Sequence, residues 1–463
     1  MKPGFSGCLF ASRQLLATGM MAAAMWLAST TAGWADNPSS LPLITMDDFQ
    51  FEGAFRLPDD TFGDSNMNYS QGPLAYNPVN HSIFIVGHAH HQAIAEFAVP
   101  ELVHSGNIAD LKMASPPVQN FVSVLDRVSG GNPQNLDRIG GLAWIMGPNG
   151  PELLVNAYEY YDAPGDNSQT TLVIRDPANL SVSAVDGYFT FSGGAGHTSG
   201  WISPVPAAWQ PVLGGTGITG QSSGLPIISR LSVGPSAFVF DPLSIVGQAT
   251  VVDPVPTVKL LDFPLSDPLH ADLSNTSLTN DLWTHLSRAV YGFILPGTRT
   301  YVTIGHSGGH ASGVCYKCTQ SNGNLCGGYC APDPEDYYHF YWLWDLNDLT
   351  EVKAGRLATW DVRPYDHGIF STPFPTHRLG GGSFDPASGR LFVNILEADR
   401  LQGTYSNPPV VAVYRFSTDP EVSLQGFAAD FGKTDCAACP GDLDMDNDVD
   451  GRDLSLLADD NHS

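Results

Sequence analysis

The sequence predicts an all-β chain folded as a β-propeller, with five blades counted directly, room for a sixth or seventh inside long insertions, and a small helical C-terminal tail. Three observations carry this. A pair of short apolar strands, led by Gly or a small residue, recurs along the chain. A third strand ending near Asp or Pro recurs independently of that pair. The chain of 463 residues holds 48 Gly and 35 Pro, which favours many turns over long helices. Units of four short strands suit radial packing, which hides most strand edges, although a sandwich or a solenoid also fits the strand content.

The strand pair is clearest in Gly72-Pro-Leu-Ala-Tyr-Asn-Pro followed by Ile83-Phe-Ile-Val-Gly-His88, and in Gly381-Gly-Ser-Phe-Asp-Pro followed by Leu391-Phe-Val-Asn-Ile-Leu396. Gly140-Gly-Leu-Ala-Trp-Ile with Leu153-Leu-Val-Asn-Ala-Tyr158, and Arg288-Ala-Val-Tyr-Gly-Phe with Tyr301-Val-Thr-Ile-Gly-His306, repeat it. A copy over residues 201–214 is the weakest, because its turns are unclear. Third strands are expected at 94–100, 171–177, 237–242, 340–345 and 411–416. Outer strands are expected at 51–57, 120–125, 188–191, 258–265 and 359–362. The glycine-rich stretch 214–224 reads as a flexible loop.

The ends differ from this repeat, and three segments follow: a leader over residues 1–35, the repeat domain over 36–419 and a tail over 420–463. Lys2 and Arg13 flank the start of an apolar run over residues 15–28, and Gly33-Trp34-Ala35 supplies small residues for cleavage, the pattern of a secretory signal peptide. An extracellular or surface-attached protein is expected. No later run reaches the roughly 20 apolar residues of a membrane-spanning helix.

Of 21 basic residues the leader holds two, and of 47 acidic residues none, so 19 face 47 after removal, a formal charge of −28. That balance disfavours nucleic acid and anionic membranes as partners. Six cysteines then remain: Cys315, Cys318, Cys326 and Cys330 in a cluster, and Cys436 with Cys439. An even count in an exported chain points to disulfides. Zinc or another divalent metal is the alternative at the cluster, with His306 and His310 just upstream as further ligands.

In a propeller of this connectivity, the loops after the second strands and those leading into the first strands share one face. The former carry His88, His90 and His91; Tyr158, Glu159, Tyr160, Tyr161 and Asp162; His306 and His310; and Glu397, Asp399 and Arg400. The latter carry Tyr69, Arg138, His197, His285 with Arg288, and His377 with Arg378. A strongly acidic chain thus places three of its few arginines and most of its histidines on one face. Arginine suits bidentate contact with carboxylate or sulfate, and His and Tyr suit proton transfer. Cleavage of an acidic polysaccharide by β-elimination needs such groups. His88, Arg138, Tyr158, His197, His306 and Arg378 are the candidate catalytic residues, and Tyr69, Arg288 and His377 the candidate substrate contacts. A metal held by His88, His90, His306 and His310 is the alternative neutralising group. Hydrolysis by paired carboxylates would fall to Glu159, Asp162, Glu397 and Asp399. A non-catalytic glycan- or protein-binding face is the rival function.

The tail reads Asp442-Leu-Asp444-Met-Asp446-Asn-Asp448-Val-Asp450-Gly-Arg-Asp453, with acids at loop positions 1, 3, 5, 9 and 12, the spacing a calcium ion requires. Asp448 would offer its carbonyl. With Gly441, Val449, Leu454 and Leu457, this segment resembles one type I dockerin repeat, an EF-hand-like calcium loop. The resemblance implies calcium held by Asp442, Asp444, Asp446, Asp450 and Asp453, and docking to a cohesin on a scaffold or cell surface. Position 6 is Asn447 where glycine is usual, position 12 is Asp, and one intact loop stands where cohesin-binding dockerins carry two. The segment 424–436 resembles the helix of a preceding repeat without its loop.

Overall fold

The computed structural model describes residues 37–222 and 231–416. The leader, the calcium loop with Asp442, Asp444, Asp446, Asp448, Asp450 and Asp453, and the pair Cys436 and Cys439 lie outside the described residues. Among those described, no helix is long and apolar enough to cross a membrane.

Five four-stranded antiparallel sheets form the five blades of a propeller. The first contains Leu74–Asn77, Ser82–Val86, Ala93–Ala98 and Gln119–Ser123 from centre to rim. The second contains Arg138–Gly147, Gly150–Tyr158, Gln169–Ile174 and Val185–Thr190. The third is the smallest, with Ile202–Pro204, Gly217–Thr219, Ala237–Phe240 and Val258–Leu261. The fourth holds Arg288–Ile294, Thr300–Gly308, Tyr337–Asp345 and Asp366–Ile369. The fifth takes Leu379–Asp385, Arg390–Ile395 and Val410–Phe416 from the end of the domain, and its outer strand, Phe49–Arg56, from the beginning.

That last pairing closes the ring and puts the expected 51–57 strand on the last blade. Two ion clusters reinforce it. Arg56 Nε and Nη2 donate to Asp399 at 2.8 and 3.2 Å, and Glu52 accepts from Arg390 and Arg415.

Because each sheet is sandwiched between neighbours, its middle strands are buried on both faces and read as unbroken apolar runs rather than alternation. Ser82–Val86 is buried at every residue. Phe392 and Val413 of the fifth blade meet Ile83 and Ile85 of the first; Phe84 and Val86 of the first meet Leu142 and Val155 of the second. Leu154 and Val173 reach Ile202 and Phe240, and a larger cluster joins the third, fourth and fifth blades through Trp201, Phe293 and Val393. Trp342 and Trp344 are both core residues, their indole N–H groups satisfied by the Leu282 carbonyl and the Thr303 hydroxyl.

Polar ties cross the same interfaces. Asn156 Nδ2 donates to the Thr198 and Gly200 carbonyls at 3.0 and 2.9 Å, joining the second blade to the third, and Asn394 Nδ2 donates to the Gly72 carbonyl at 3.0 Å, joining the fifth to the first. A Cβ on Gly141 would lie 2.0 Å from the Gly200 carbonyl oxygen, so only glycine permits that approach.

Two expectations are corrected. Residues 359–362 are not a strand: Thr359–Asp361 is a 3-10 turn, and the outer strand begins after Pro364, which cannot donate to a ladder. The glycine-rich stretch 214–224 is not simply a loop, since Gly217–Thr219 is the second strand of the third blade, its small residues lying against Pro242 and Phe240.

Candidate functional site

Three blades share one device at the inner end of the first strand. Arg138 pairs with Tyr158, Arg288 with His306, and Leu396 N–H donates to the Arg378 carbonyl at 3.0 Å. One residue further on, each ladder shifts register, between Ile139 and Gly141, Ala289 and Tyr291, and Leu379 and Gly381. A bulge of this kind turns a strand locally and re-aims side chains. Arg138 and Arg288 are therefore the first residues of inner strands rather than loop residues, and Arg378 immediately precedes one.

The result is a narrow central cleft walled by Arg138, Arg288 and Arg378 with Tyr158 and His306. Gln71, Gln92, Trp201 and Gln221 add to its polar and aromatic lining, and among the described residues no carboxylate lines it.

Electrostatics in the cleft follow from burial and crowding of cations. Burial lowers the Arg288 guanidinium to about 10, with Arg378 adding repulsion, which leaves it charged at neutral pH. Burial holds the His306 imidazole well below its ordinary range, and Arg288, Arg378 and His339 push the same way, so it is neutral near pH 7. Its Nδ1 is buried without a hydrogen-bond partner among the described residues. Burial raises the Tyr158 phenol, which keeps its proton despite nearby Arg288 and Arg138. Arg138 is fixed by the Asp137 carbonyl and carboxylate at 2.7 and 3.1 Å and lies over the Tyr160 ring at 5.1 Å. Arg378 has Glu397 at 3.5 Å.

The other predicted residues lie around this cleft. His88 occupies the position on the first blade that Tyr158 and His306 occupy on theirs, but it opposes Ser70 instead of an arginine. It contacts Tyr69, with ring centres 5.7 Å apart, and stacks on His91, and burial followed by His91 and His90 lowers its pKa. His197 lines a second cavity that shares Tyr158 with the cleft. His197 Nδ1 lies 2.8 Å from Asp262, whose other oxygen accepts from Lys259 at 2.8 Å. Burial opposes the charge on Asp262, yet the bonds from His197 and Lys259 hold its pKa below the ordinary value. His377 is exposed. It lies near the buried His339, which burial lowers to about 4 with His377 adding repulsion.

The metal set does not gather. His310 is committed through both ring nitrogens, 2.7 Å from Ser307 Oγ and 2.8 Å from the Asn280 carbonyl. Among the described residues, only Cys315, Cys318 and Cys330 bring three potential ligand atoms together. These belong to a hairpin inserted in the fourth blade, where Cys315 pairs with Cys318 and Cys326 with Cys330 as disulfides. The candidate carboxylates are each engaged, Glu159 accepting from Asn167 Nδ2 at 2.8 Å. Asp399 is buried by the ring closure, Asp162 accepts backbone N–H groups of Gly165 and Asp166 in a turn, and Glu397 is held between Arg378 and Arg400.

Sequence reading missed Gln92, Trp201, Gln221 and Asp262. Gln92 carried a signal, following His88, His90 and His91 directly; its Oε1 accepts from Ile139 N–H at 2.7 Å and ties the first blade to the second.

No protein family and no curated protein matches the chain. Among solved structures, the chain is similar to the PQQ-bound form of an aldose sugar dehydrogenase from Streptomyces coelicolor, at 12% identity over 77% of this chain and 99% of that one, with a TM-score of 0.33. It is also similar to the propeller of Dos1, at 8% identity over 74% and 67% of the two chains, with a TM-score of 0.24. Likeness at this level says nothing of chemistry, which rests on the cleft residues.

Proposed function

We propose that the cleft binds an acidic saccharide and that the protein is a secreted, carbohydrate-active lyase cleaving acidic polysaccharide by β-elimination. One observation carries this reading: three arginines from equivalent positions on three blades meet a neutral histidine and a protonated tyrosine in one cleft free of carboxylates. Removing the proton beside a uronate carboxylate places extra negative charge on that group. Arg138, Arg288 and Arg378 are suited to neutralise it, by bidentate hydrogen bonds that strengthen as the charge develops.

His306, uncharged at neutral pH, takes the proton. The electron pair of the broken C–H bond forms a ring double bond, the bond to the glycosidic oxygen breaks, and Tyr158 gives that oxygen its proton. Proton return from His306 to Tyr158 through solvent resets the site. The leader and the calcium loop read in the sequence support an extracellular setting, with calcium stabilising the tail and docking to a cohesin or surface scaffold as its further use.

The test is to incubate the purified protein with uronic-acid polysaccharides of several linkages and follow ultraviolet absorbance of newly formed unsaturated ends. His306→Gln and Tyr158→Phe are expected to abolish product while retaining oligosaccharide binding, and Arg288→Gln to weaken binding itself. Saccharide binding without unsaturated product from any polymer would replace the lyase reading with the non-catalytic one.

A further inference from the structure

The central cleft is the middle of three cavities that share walls. It meets the His197 cavity at Tyr158, and a third cavity, lined by His90, His91, Asp126 and Asp137, at Gln92 and Arg138. The three adjoin at these shared residues, and together they are called the trough.

Their charges alternate. The middle cavity presents three arginines and no carboxylate. Among the described residues, the His197 cavity presents Glu159 and Asp162, and neither lysine nor arginine. The third presents Asp126 and Asp137, and its arginine is Arg138, shared with the middle and already bonded to Asp137. Nearby cations among the described residues do not reverse this. Arg127 turns to the Leu180 and Ser183 carbonyls, and Lys259 is engaged by Asp262. The acidic cavities also offer neutral hydrogen-bonding groups suited to sugar hydroxyls, namely Asn167 and Gln169 on one side and Asn132 and Asn135 on the other.

A ligand that fills the trough therefore meets attraction for an anion at its centre and repulsion of anions on both sides. Like charges brought together in a partly desolvated cleft discriminate strongly against the wrong partner. We infer that the trough selects a glycan segment in which one uronate is flanked by uncharged sugars, a heteropolymer with isolated acidic residues, and that it binds such segments internally rather than at chain ends. This deepens the proposed function and rests on it.

The experiment uses His306→Gln full-length protein, to prevent turnover, and calorimetric titration with two oligosaccharides of equal length. One carries a single internal uronate between neutral sugars, the other uronates throughout. The isolated uronate is expected to bind tighter by about tenfold or more. Glu159→Gln combined with Asp126→Asn is expected to shrink that preference severalfold by improving binding of the contiguous polyuronate. Glutamine preserves the hydrogen bond that Asn167 makes to residue 159, and Asp162 is left intact because it holds its turn.

Equal or tighter binding of the contiguous polyuronate, or a preference unchanged in the double variant, overturns the inference while leaving an acidic-saccharide site standing. Binding of neither oligosaccharide overturns both readings.

Discussion

Replacing Arg56 with methionine should destabilise the whole propeller, although Arg56 is remote in sequence from its partner and touches no proposed ligand. Arg56 lies on the strand that the N-terminal end lends to the last blade, and its guanidinium grips Asp399 with two hydrogen bonds. The Asp399 side chain is 0% exposed and that of Arg56 15%, so the pair is removed from water. Methionine retains most of the stem packing but leaves the carboxylate with Gln402 Nε2 at 2.7 Å and Leu401 N–H at 3.0 Å as its remaining donors. Stranding a buried charge in this way costs about 3–5 kcal/mol. For a domain this large that corresponds to a fall in melting temperature of roughly 4–6 °C. Differential scanning calorimetry of the purified variants reads it directly. Arg56→Met with Asp399→Leu should recover part of the loss, because no charge is then buried, but not all, since the Gln402 and Leu401 donors lose their acceptor. A single variant melting within about 2 °C of the parent would refute the reasoning, as would a double variant less stable than the single one.

Closure should also be sensitive to acid through Glu52. Burial opposes its charge, but the bonds from Arg390 and Arg415 prevail and its folded pKa lies below the unfolded value of 4.5. The stabilisation is thus fully present above that unfolded value and lost as pH falls through the folded one, so Glu52→Gln should lower the melting temperature at neutral pH, change it little in acid, and thereby flatten the acid limb of a melting temperature against pH curve. Asn156→Ala removes donors from the Thr198 and Gly200 carbonyls at the interface of the second and third blades, and should lower stability by about 1–3 kcal/mol in urea titrations. The full-length protein should bind one calcium ion by calorimetric titration after chelator treatment, and Asp442→Ala with Asp446→Ala should abolish that heat without altering saccharide binding.

Much of the fold was legible because propeller packing imposes its own signature. Sheets covered on both faces produce continuous runs such as Ile83-Phe-Ile-Val and Leu391-Phe-Val, and the third strands are marked by the turn residues that end them. What escaped reading depended on contacts made far along the chain. The third blade has inner strands of only three residues, and in its second strand glycine is required by neighbouring Pro242 and Phe240, so local composition there imitates a loop. The swapped outer strand could not be assigned to its blade, because nothing in residues 49–56 names a partner more than three hundred residues away.

The site divides along the same physical line. Arg138, Arg288 and Arg378 stood out because cations are scarce in an acidic chain and each sits where an inner strand begins; the shared bulge then turns that repetition into convergence. His306 and Tyr158 followed from the repeat, being the residues opposite two of those arginines. His88 shows the limit of reading by repeat position: it occupies the equivalent place, yet opposite Ser70 no cation faces it, and it joins a histidine cluster instead. The Asp262 partner of His197 and the closure role of Asp399 were invisible because acids are abundant in this chain and only spatial pairing distinguishes one from another. In a chain with such an excess of acids, a carboxylate is weak grounds for a site, and the informative feature is a cleft that excludes them. That contrast, cationic at the centre and acidic on either side, is what ties the lyase proposal to a particular pattern of substrate charge.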